Sequence, residues 1–91
     1  MSETSTSNGP LDPQSATPLY IQLAERISVQ IASGALAPDR PIPSEHRLAE
    51  EYGVARLTAR RATQELRERG LVITVRGKGS YVTPAPADPL A

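Results

Sequence analysis

The sequence predicts a mainly α fold that ends in a small β-hairpin. Apolar spacing and boundary residues predict three helices, and two β-branched runs around a glycine-containing turn predict the hairpin that follows them. A tight Gly53-Val54 turn joins the second helix to the third, as a helix-turn-helix requires. Three helices followed by a two-stranded wing define the winged helix-turn-helix, which is the fold we expect for residues 18–83.

The first helix is expected over residues 18–34. Its apolar side chains recur at helical spacing on one face, at Tyr20, Leu23, Ala24, Ile27 and Ile31. Pro18 suits the first turn of a helix, and Gly34 suits its end. Three prolines interrupt the next segment, residues 35–45, which we expect to be an extended connector anchored in the core by Ile42.

The second helix is expected over residues 44–53, with Ser44 as its N-cap and Gly53 at its end. The third follows within residues 53–70, "GVARLTARRATQELRERG", which hold five of the ten basic residues of the chain. A helical projection puts small apolar side chains on one side, at Ala55, Ala59, Ala62 and Leu66. The opposite side is a polar stripe formed by Arg56, Arg60, Thr63, Gln64 and Arg67.

The wing is expected over residues 71–82, with its turn at "RGKG", residues 76–79. The tip carries Arg76 and Lys78 beside two glycines, so both its backbone and its charges can approach a surface closely. An ordinary solvent-exposed turn is the alternative. A phosphate-binding P-loop does not fit, because that loop lies between a strand and a helix and has a different glycine spacing.

Charge is unevenly distributed along the chain, although the formal net charge is zero. Residues 1–43 hold two arginines against four acidic residues, whereas residues 44–83 hold eight basic residues against five acidic ones. The positive part coincides with the predicted helix-turn-helix and wing. A local positive field attracts polyanions whatever the overall isoelectric point is.

Composition argues against several classes of site and location. The chain has no cysteine and a single histidine, His46, so we expect no disulfide, no zinc site and no cofactor. It has no signal peptide and no apolar run of membrane-spanning length, which predicts a cytoplasmic protein without a membrane partner. No candidate general base has a plausible partner in the sequence, so we do not expect an enzyme.

The arginine side of the third helix has side chains that can read the major groove of DNA. Arginine can bond both acceptors of guanine, glutamine both groups of adenine, and an apolar residue such as Leu57 the thymine methyl. Leu57 could equally pack on the second helix, and Arg61, off the stripe, suits a phosphate contact or a salt bridge. One alternative is a charged face in solvent, with Glu65 and Glu68 pairing with Arg61 and Arg69. Another is a protein–protein module whose basic face meets an acidic partner.

Residues 18–83 also resemble the DNA-binding domain of the GntR family of bacterial transcription regulators. The resemblance is carried by "PLYIQ", "PSE", "LAEEYGV", "RLTARRA", "LRERGL" and "GKGSYV", in this order and spacing. It implies sequence-specific binding of double-stranded DNA by a repressor. We expect two copies on a palindromic operator, with one recognition helix in each half-site.

The resemblance implies DNA contacts at the start of the second helix, the start of the third helix and the wing. Carried over position by position, these residues are Ser44, Glu45, His46, Arg56, Leu57, Thr58, Arg60, Arg76 and Gly77. Arg47, Arg61 and Lys78 complete the predicted DNA-binding set. The chain departs from the family at His46, where arginine is usual, which shifts that contact towards Arg47. It also departs at Ala55, where an N-cap Ser or Thr is usual, and at Asp39, where the connector commonly has glycine.

The expected organisation has three parts: a disordered tail over residues 1–17, the DNA-binding domain over 18–83, and a Pro/Ala-rich tail or interdomain linker over 84–91. Members of the family continue into an effector-binding and dimerising domain. The resemblance therefore implies that a small-molecule effector acts only through a domain outside this chain. The chain itself is expected to be monomeric or weakly dimeric off DNA and dimeric on it.

Overall fold

The computed structural model describes residues 10–84, and these have the predicted order of elements. The helices and strands are α1 (Leu19–Ser33), α2 (Glu45–Tyr52), α3 (Arg56–Glu68), β1 (Val72–Val75) and β2 (Gly79–Val82). The expectation of a winged helix-turn-helix is confirmed. The parts of the predicted tails at residues 1–9 and 85–91 lie outside the described residues.

The turn between α2 and α3 depends on Gly53, which has a left-handed φ of 67°. A residue with a Cβ is strained in this conformation, so glycine suits the position. The next amide, Val54 N–H, donates to the carbonyl of Ala49 over 3.0 Å and closes the end of α2. Ala55 then takes the N-cap position of α3. The chain therefore passes from one helix to the next within three residues, which keeps the two helices close together.

The core lies between the three helices and the inner face of the wing. Its largest fully buried side chains are Leu23, Ile27, Leu48, Leu66, Val72 and Val82. α3 packs against α1, α2 and β1, and its Ala59 and Ala62 are completely buried. Small side chains at these positions let neighbouring elements approach α3 closely. The small apolar side predicted for the third helix is therefore correct, apart from Ala55, which is exposed.

The wing contains a further strand-like segment that the sequence analysis did not predict. β1 and β2 pair antiparallel, in a register that aligns Val72 with Val82. On the other side of β2, the connector hydrogen-bonds to it: Ile42 N–H donates to Ser80 O over 3.0 Å, and Val82 N–H donates to Arg40 O over 2.8 Å. β2 is therefore paired on both sides. The predicted anchor of the connector, Ile42, is buried as expected.

Residues 10–17 lie against α1, although the sequence analysis expects them to be disordered. Leu11 is 6% exposed and belongs to the core. The side-chain amide of Gln22 accepts from the Asp12 N–H at 2.9 Å and donates to the carbonyls of Asp12 and Thr17 at 2.9 and 2.7 Å. The packed region therefore includes residues before the expected boundary at residue 18. Composition hid this segment, because a single apolar side chain anchors it.

Replacing Leu11 by alanine should lower the free energy of unfolding by about 2 kcal/mol. This is the low end for a buried leucine, because an end segment can detach while the remaining core stays folded. Urea unfolding followed by circular dichroism measures the change. Gln14→Ala, at an exposed position of the same segment, is the matched control and should stay within about 0.5 kcal/mol of the parent. Equal stability of Leu11→Ala and the parent would show that residues 10–17 do not stabilise the domain.

Candidate nucleic-acid interface

Three elements meet around one open depression: the first turn of α2, the outer side of α3 and the tip of the wing. The depression has a volume of about 340 Å³, and the connector forms part of its border. Its lining residues include Ser44, Glu45 and His46 from α2 and its cap, Arg56 and Thr63 from α3, and Lys78, Gly79 and Ser80 from the wing. Residues from all three regions singled out in the sequence therefore share one surface.

The start of α2 is closed by a side-chain cap. Ser44 Oγ accepts a hydrogen bond from the backbone N–H of Arg47 over 3.1 Å, as the sequence predicts. Glu45 occupies the first turn, where the helix dipole stabilises a negative charge. His46 is exposed, with Nε2 lying 3.3 Å from Oε2 of Glu50 one turn later. A capped helix, rather than a loop, therefore sets the positions of these side chains.

The first turns of α3 lie exposed beside α2. Arg56, Leu57 and Arg60 line a second depression of about 380 Å³ together with Glu45. Leu57 is 64% exposed, so it does not pack into α2, which was one of the two possibilities left open by the sequence. It projects beside the two arginines instead. The outer side of α3 therefore presents two guanidinium groups and one apolar side chain.

Arg60 is paired across the helix-turn-helix. Its Nε lies 3.4 Å from Oε1 of Glu45 on α2. A projection of α3 alone could not predict this partner, because it comes from another helix, 15 residues away in the sequence. An ion pair this exposed adds little to the stability of the fold.

One residue of the predicted polar stripe is buried where β1 packs on α3, whereas Gln64 and Arg67 are exposed as predicted. Thr63 is 4% exposed and its hydroxyl donates to the carbonyl of Ala59 over 3.0 Å, so its assignment to the exposed stripe is wrong. Arg67 donates from Nη1 to the hydroxyl of Thr74 on β1. Both side chains lie where the hairpin returns over the helix. The predicted stripe is therefore exposed along α3 except at Thr63.

Two further arginines, Arg61 of α3 and Arg69 at the C-cap of that helix, contact α1. The guanidinium carbon of Arg61 lies 4.3 Å from the ring centre of Tyr20. Arg69 pairs with Glu65 at 2.9 Å and with Glu25 at 3.0 Å. Its hydrogen bond to Glu65, more than the one to Glu25, raises the pKa of the Arg69 guanidinium. Of the two ion pairs considered in the sequence, Arg69 forms one, whereas Arg61 stacks on an aromatic ring away from the depressions.

The tip of the wing depends on a glycine conformation. Gly77 has a φ of 80°, and Lys78 N–H donates to the carbonyl of Val75 over 2.9 Å to close the turn. A Cβ at Gly77 would meet no atom within 4 Å, so backbone conformation favours glycine there and crowding does not. Arg76 and Lys78 are exposed on either side of it. The tip therefore carries two positive charges on an open turn.

The surface is one of charged and polar side chains rather than a ligating cluster. Among residues 10–84, no three His, Cys, Asp or Glu side chains are grouped so that they could hold a metal ion. No helix within that part of the chain is long and apolar enough to cross a membrane.

Comparison with known proteins identifies the group to which this fold and surface belong. The family model described as bacterial regulatory proteins, gntR family, matches residues 19–82. The chain belongs to the GntR family. It is 40% identical over 73 residues to the HTH-type transcriptional repressor NagR of Bacillus subtilis (strain 168). It is 45% identical over 65 residues to the mannosyl-D-glycerate transport/metabolism system repressor MngR of Escherichia coli (strain K12). The resemblance noted in the sequence is therefore confirmed.

These relatives are much longer than the chain. The match to NagR covers 80% of the chain and 30% of NagR, and the match to MngR covers 71% and 27%. A solved structure, AraR(DBD) in complex with operator ORX1, has a TM-score of 0.72 and 37% identity, covering 81% of the chain and 98% of that structure. The GntR-family chain is thus similar to an isolated DNA-binding domain over nearly the whole of that domain.

Sequence reasoning missed the part that the connector plays in this surface. Pro41 and Pro43 line the first depression, because hydrogen bonds to β2 hold the connector beside the wing. The only signal was Ile42, an apolar residue between two prolines, which indicated burial but not strand pairing. Of the remaining predicted residues, Arg47, Thr58 and Gly77 are adjacent in the sequence to lining residues, and Arg76 lies two residues before the lining residue Lys78.

Ala55→Ser should raise the free energy of unfolding by about 1 kcal/mol, because serine supplies a missing N-cap. Ala55 already has the extended backbone of a cap residue, but the cap position has no side-chain hydrogen bond to the first turn of α3. Chemical denaturation measures the gain. Ala37→Ser, at an exposed position of the connector, is the control and should leave stability unchanged. A gain of the same size in both variants would rule out capping as its cause.

Proposed function

We propose that this chain binds double-stranded DNA sequence-specifically and serves as the DNA-reading part of a transcription repressor that occludes a promoter. The observation that carries the proposal is the exposed start of α3, flanked on one surface by the start of α2 and the tip of the wing. An α-helix fits the major groove of B-DNA, which is roughly 12 Å wide. The similarity to AraR(DBD), whose structure contains operator DNA, supports the same use of this surface.

The base-reading role falls to the first two turns of α3. The guanidinium groups of Arg56 and Arg60 can each donate two hydrogen bonds to N7 and O6 of a guanine. Leu57, exposed between them, suits contact with a thymine methyl, and Thr58 suits a neighbouring base or phosphate. These residues come from a rigid helix whose opposite side is buried, so their spacing is preserved when the domain meets DNA.

The phosphate-binding role falls to the regions that flank α3. At the start of α2, Ser44, His46 and Arg47 suit the backbone on one side of the groove, where the helix dipole also favours an anion. At the wing, Arg76, Gly77 and Lys78 suit the backbone or the minor groove, because the open turn allows close approach. Arg61, stacked on Tyr20, is assigned a phosphate at the edge of the footprint.

Two copies are proposed to bind a palindromic operator, with one recognition helix in each half-site. Off DNA we expect this chain to be monomeric or weakly dimeric. The DNA-binding unit is proposed to comprise residues 18–83 together with the packed segment at residues 10–17. Residues 84–91 are proposed to be a linker. Effector binding is assigned to a separate part of the regulator. Such a regulator acts in the bacterial cytoplasm and requires no catalysis or cofactor.

Arg56→Ala and Arg60→Ala should each weaken binding to the selected operator by about 1–3 kcal/mol and relax preference at one base pair. Selection of bound duplexes from a random pool measures the base preference. Fluorescence anisotropy with the most enriched duplex measures the affinity. Arg69→Gln removes one positive charge from the α1 side of the domain and serves as the control. Enrichment of no motif, with equal weak binding by all variants, would oppose the proposal and favour an acidic protein partner for the basic face.

Lys78→Ala should weaken binding to all duplexes alike and reduce the slope of log affinity against log salt by about one unit, because one phosphate contact is lost. Titrations at several salt concentrations with a cognate and a scrambled duplex give the slope. Lys78→Arg keeps the charge and should keep the slope. A loss restricted to the cognate duplex would mean that Lys78 reads bases instead.

A further inference from the structure

An acidic side chain lies at the centre of the proposed DNA-binding surface. Glu45 lines both depressions and is the one acidic residue that lines either of them within residues 10–84. The other charged side chains around it are Arg56, Arg60 and Lys78, with His46 alongside. A carboxylate there repels the phosphates of any duplex that approaches. A surface built only for tight binding to DNA would not carry it.

The contact between Glu45 and Arg60 uses one particular donor of the guanidinium. Oε1 of Glu45 lies 3.4 Å from Nε of Arg60, and the side chains are 36% and 68% exposed. Among residues 10–84, the hydrogen bond of the Arg60 side chain is to Glu45 and uses Nε, not the two terminal nitrogens. These nitrogens form the edge that donates two parallel hydrogen bonds to guanine. Glu45 therefore orients Arg60 without occupying its base-reading edge.

The carboxylate is also held in place by the fold. Glu45 is the first residue of α2, directly after Ser44, whose side chain caps the helix. The helix dipole favours a negative charge at this position. The tight turn at Gly53 and the buried alanines of α3 keep the two helices at one distance, so the approach of Glu45 to Arg60 does not depend on a mobile loop.

We propose that Glu45 is a positioning residue that sets how strongly the domain discriminates its operator from other DNA. This inference rests on the proposed function and adds a specific role for an acid within it. On the operator, hydrogen bonds from the oriented Arg60 to guanine offset the repulsion between Glu45 and phosphate. On other sequences Arg60 has no such partner, and the repulsion remains. Glu45 thus lowers the affinity of the domain for all DNA, and lowers it most for DNA that lacks the operator sequence.

The test compares Glu45→Gln with the parent on the selected operator and on a scrambled duplex, at fixed salt. The amide keeps the shape of the side chain and removes its charge. Scrambled DNA should bind several-fold more tightly, and the ratio of the two affinities should fall about tenfold, as expected when an arginine–guanine pair loses its orientation. Glu51→Gln, an exposed carboxylate on the same helix that lines neither depression, is the matched charge control. It should leave the ratio unchanged.

A double variant separates positioning from charge alone. In the Arg60→Ala background, Glu45→Gln should still tighten binding to scrambled DNA but should no longer change the ratio, because the side chain it orients is gone. An unchanged ratio in Glu45→Gln, or an equal fall with and without Arg60, would overturn the inference. Thermal unfolding confirms that each variant is folded. If the parent itself selects no sequence, the proposed function fails instead, so the two failures are distinguishable.

Discussion

The close packing of α3 against the rest of the domain is the constraint on which the other features depend. Ala59 and Ala62 are completely buried, and a larger side chain at either position would push α3 away from its neighbours. Gly53 supplies the left-handed turn that lets α3 begin beside the end of α2. Displacement of α3 would separate Arg60 from Glu45 and move Arg56 out of the depression it shares with Lys78.

The five arginines of the third helical segment divide into two groups with different physical roles. Arg61, Arg67 and Arg69 contact an aromatic ring, a threonine hydroxyl and two carboxylates within the domain. These contacts connect α3 to α1 and to the wing. Arg56 and Arg60 line the exposed depressions instead. A count of basic residues therefore does not show which guanidinium groups are placed to read bases, and the position of each guanidinium is the useful quantity.

The wing and the connector act as one unit. Hydrogen bonds on both sides of β2 fix the connector, which then forms a border of the depression. Asp39 adopts a φ of 66° where the chain bends into this segment, and its N–H donates to the carbonyl of Val82 over 3.0 Å. A left-handed residue is needed at this bend, and aspartate is one of the few residues other than glycine that adopt this conformation. The wing thus stiffens the loop that leads into α2.

Local rules in the sequence determined the elements and their ends. Apolar spacing defined the buried sides of the helices, Ser44 and Gly53 marked the limits of α2, and "RGKG" marked the wing turn, because capping and turn conformations depend on a few adjacent residues. The candidate surface was predictable to the same extent, because residue types at the start of α2, the start of α3 and the wing indicate DNA contacts, and these three regions border one depression.

Features that depend on contacts between distant segments could be seen only in the tertiary structure. Four features depend on contacts with another element or with a segment that is distant in the sequence. They are the burial of Thr63, the packing of Leu11 in the core, the pairing of the connector with β2 and the ion pair between Glu45 and Arg60. A helical projection treats one helix in isolation, so it cannot show which part of a polar stripe a returning hairpin covers. For the same reason it cannot show which arginine receives a carboxylate from another helix.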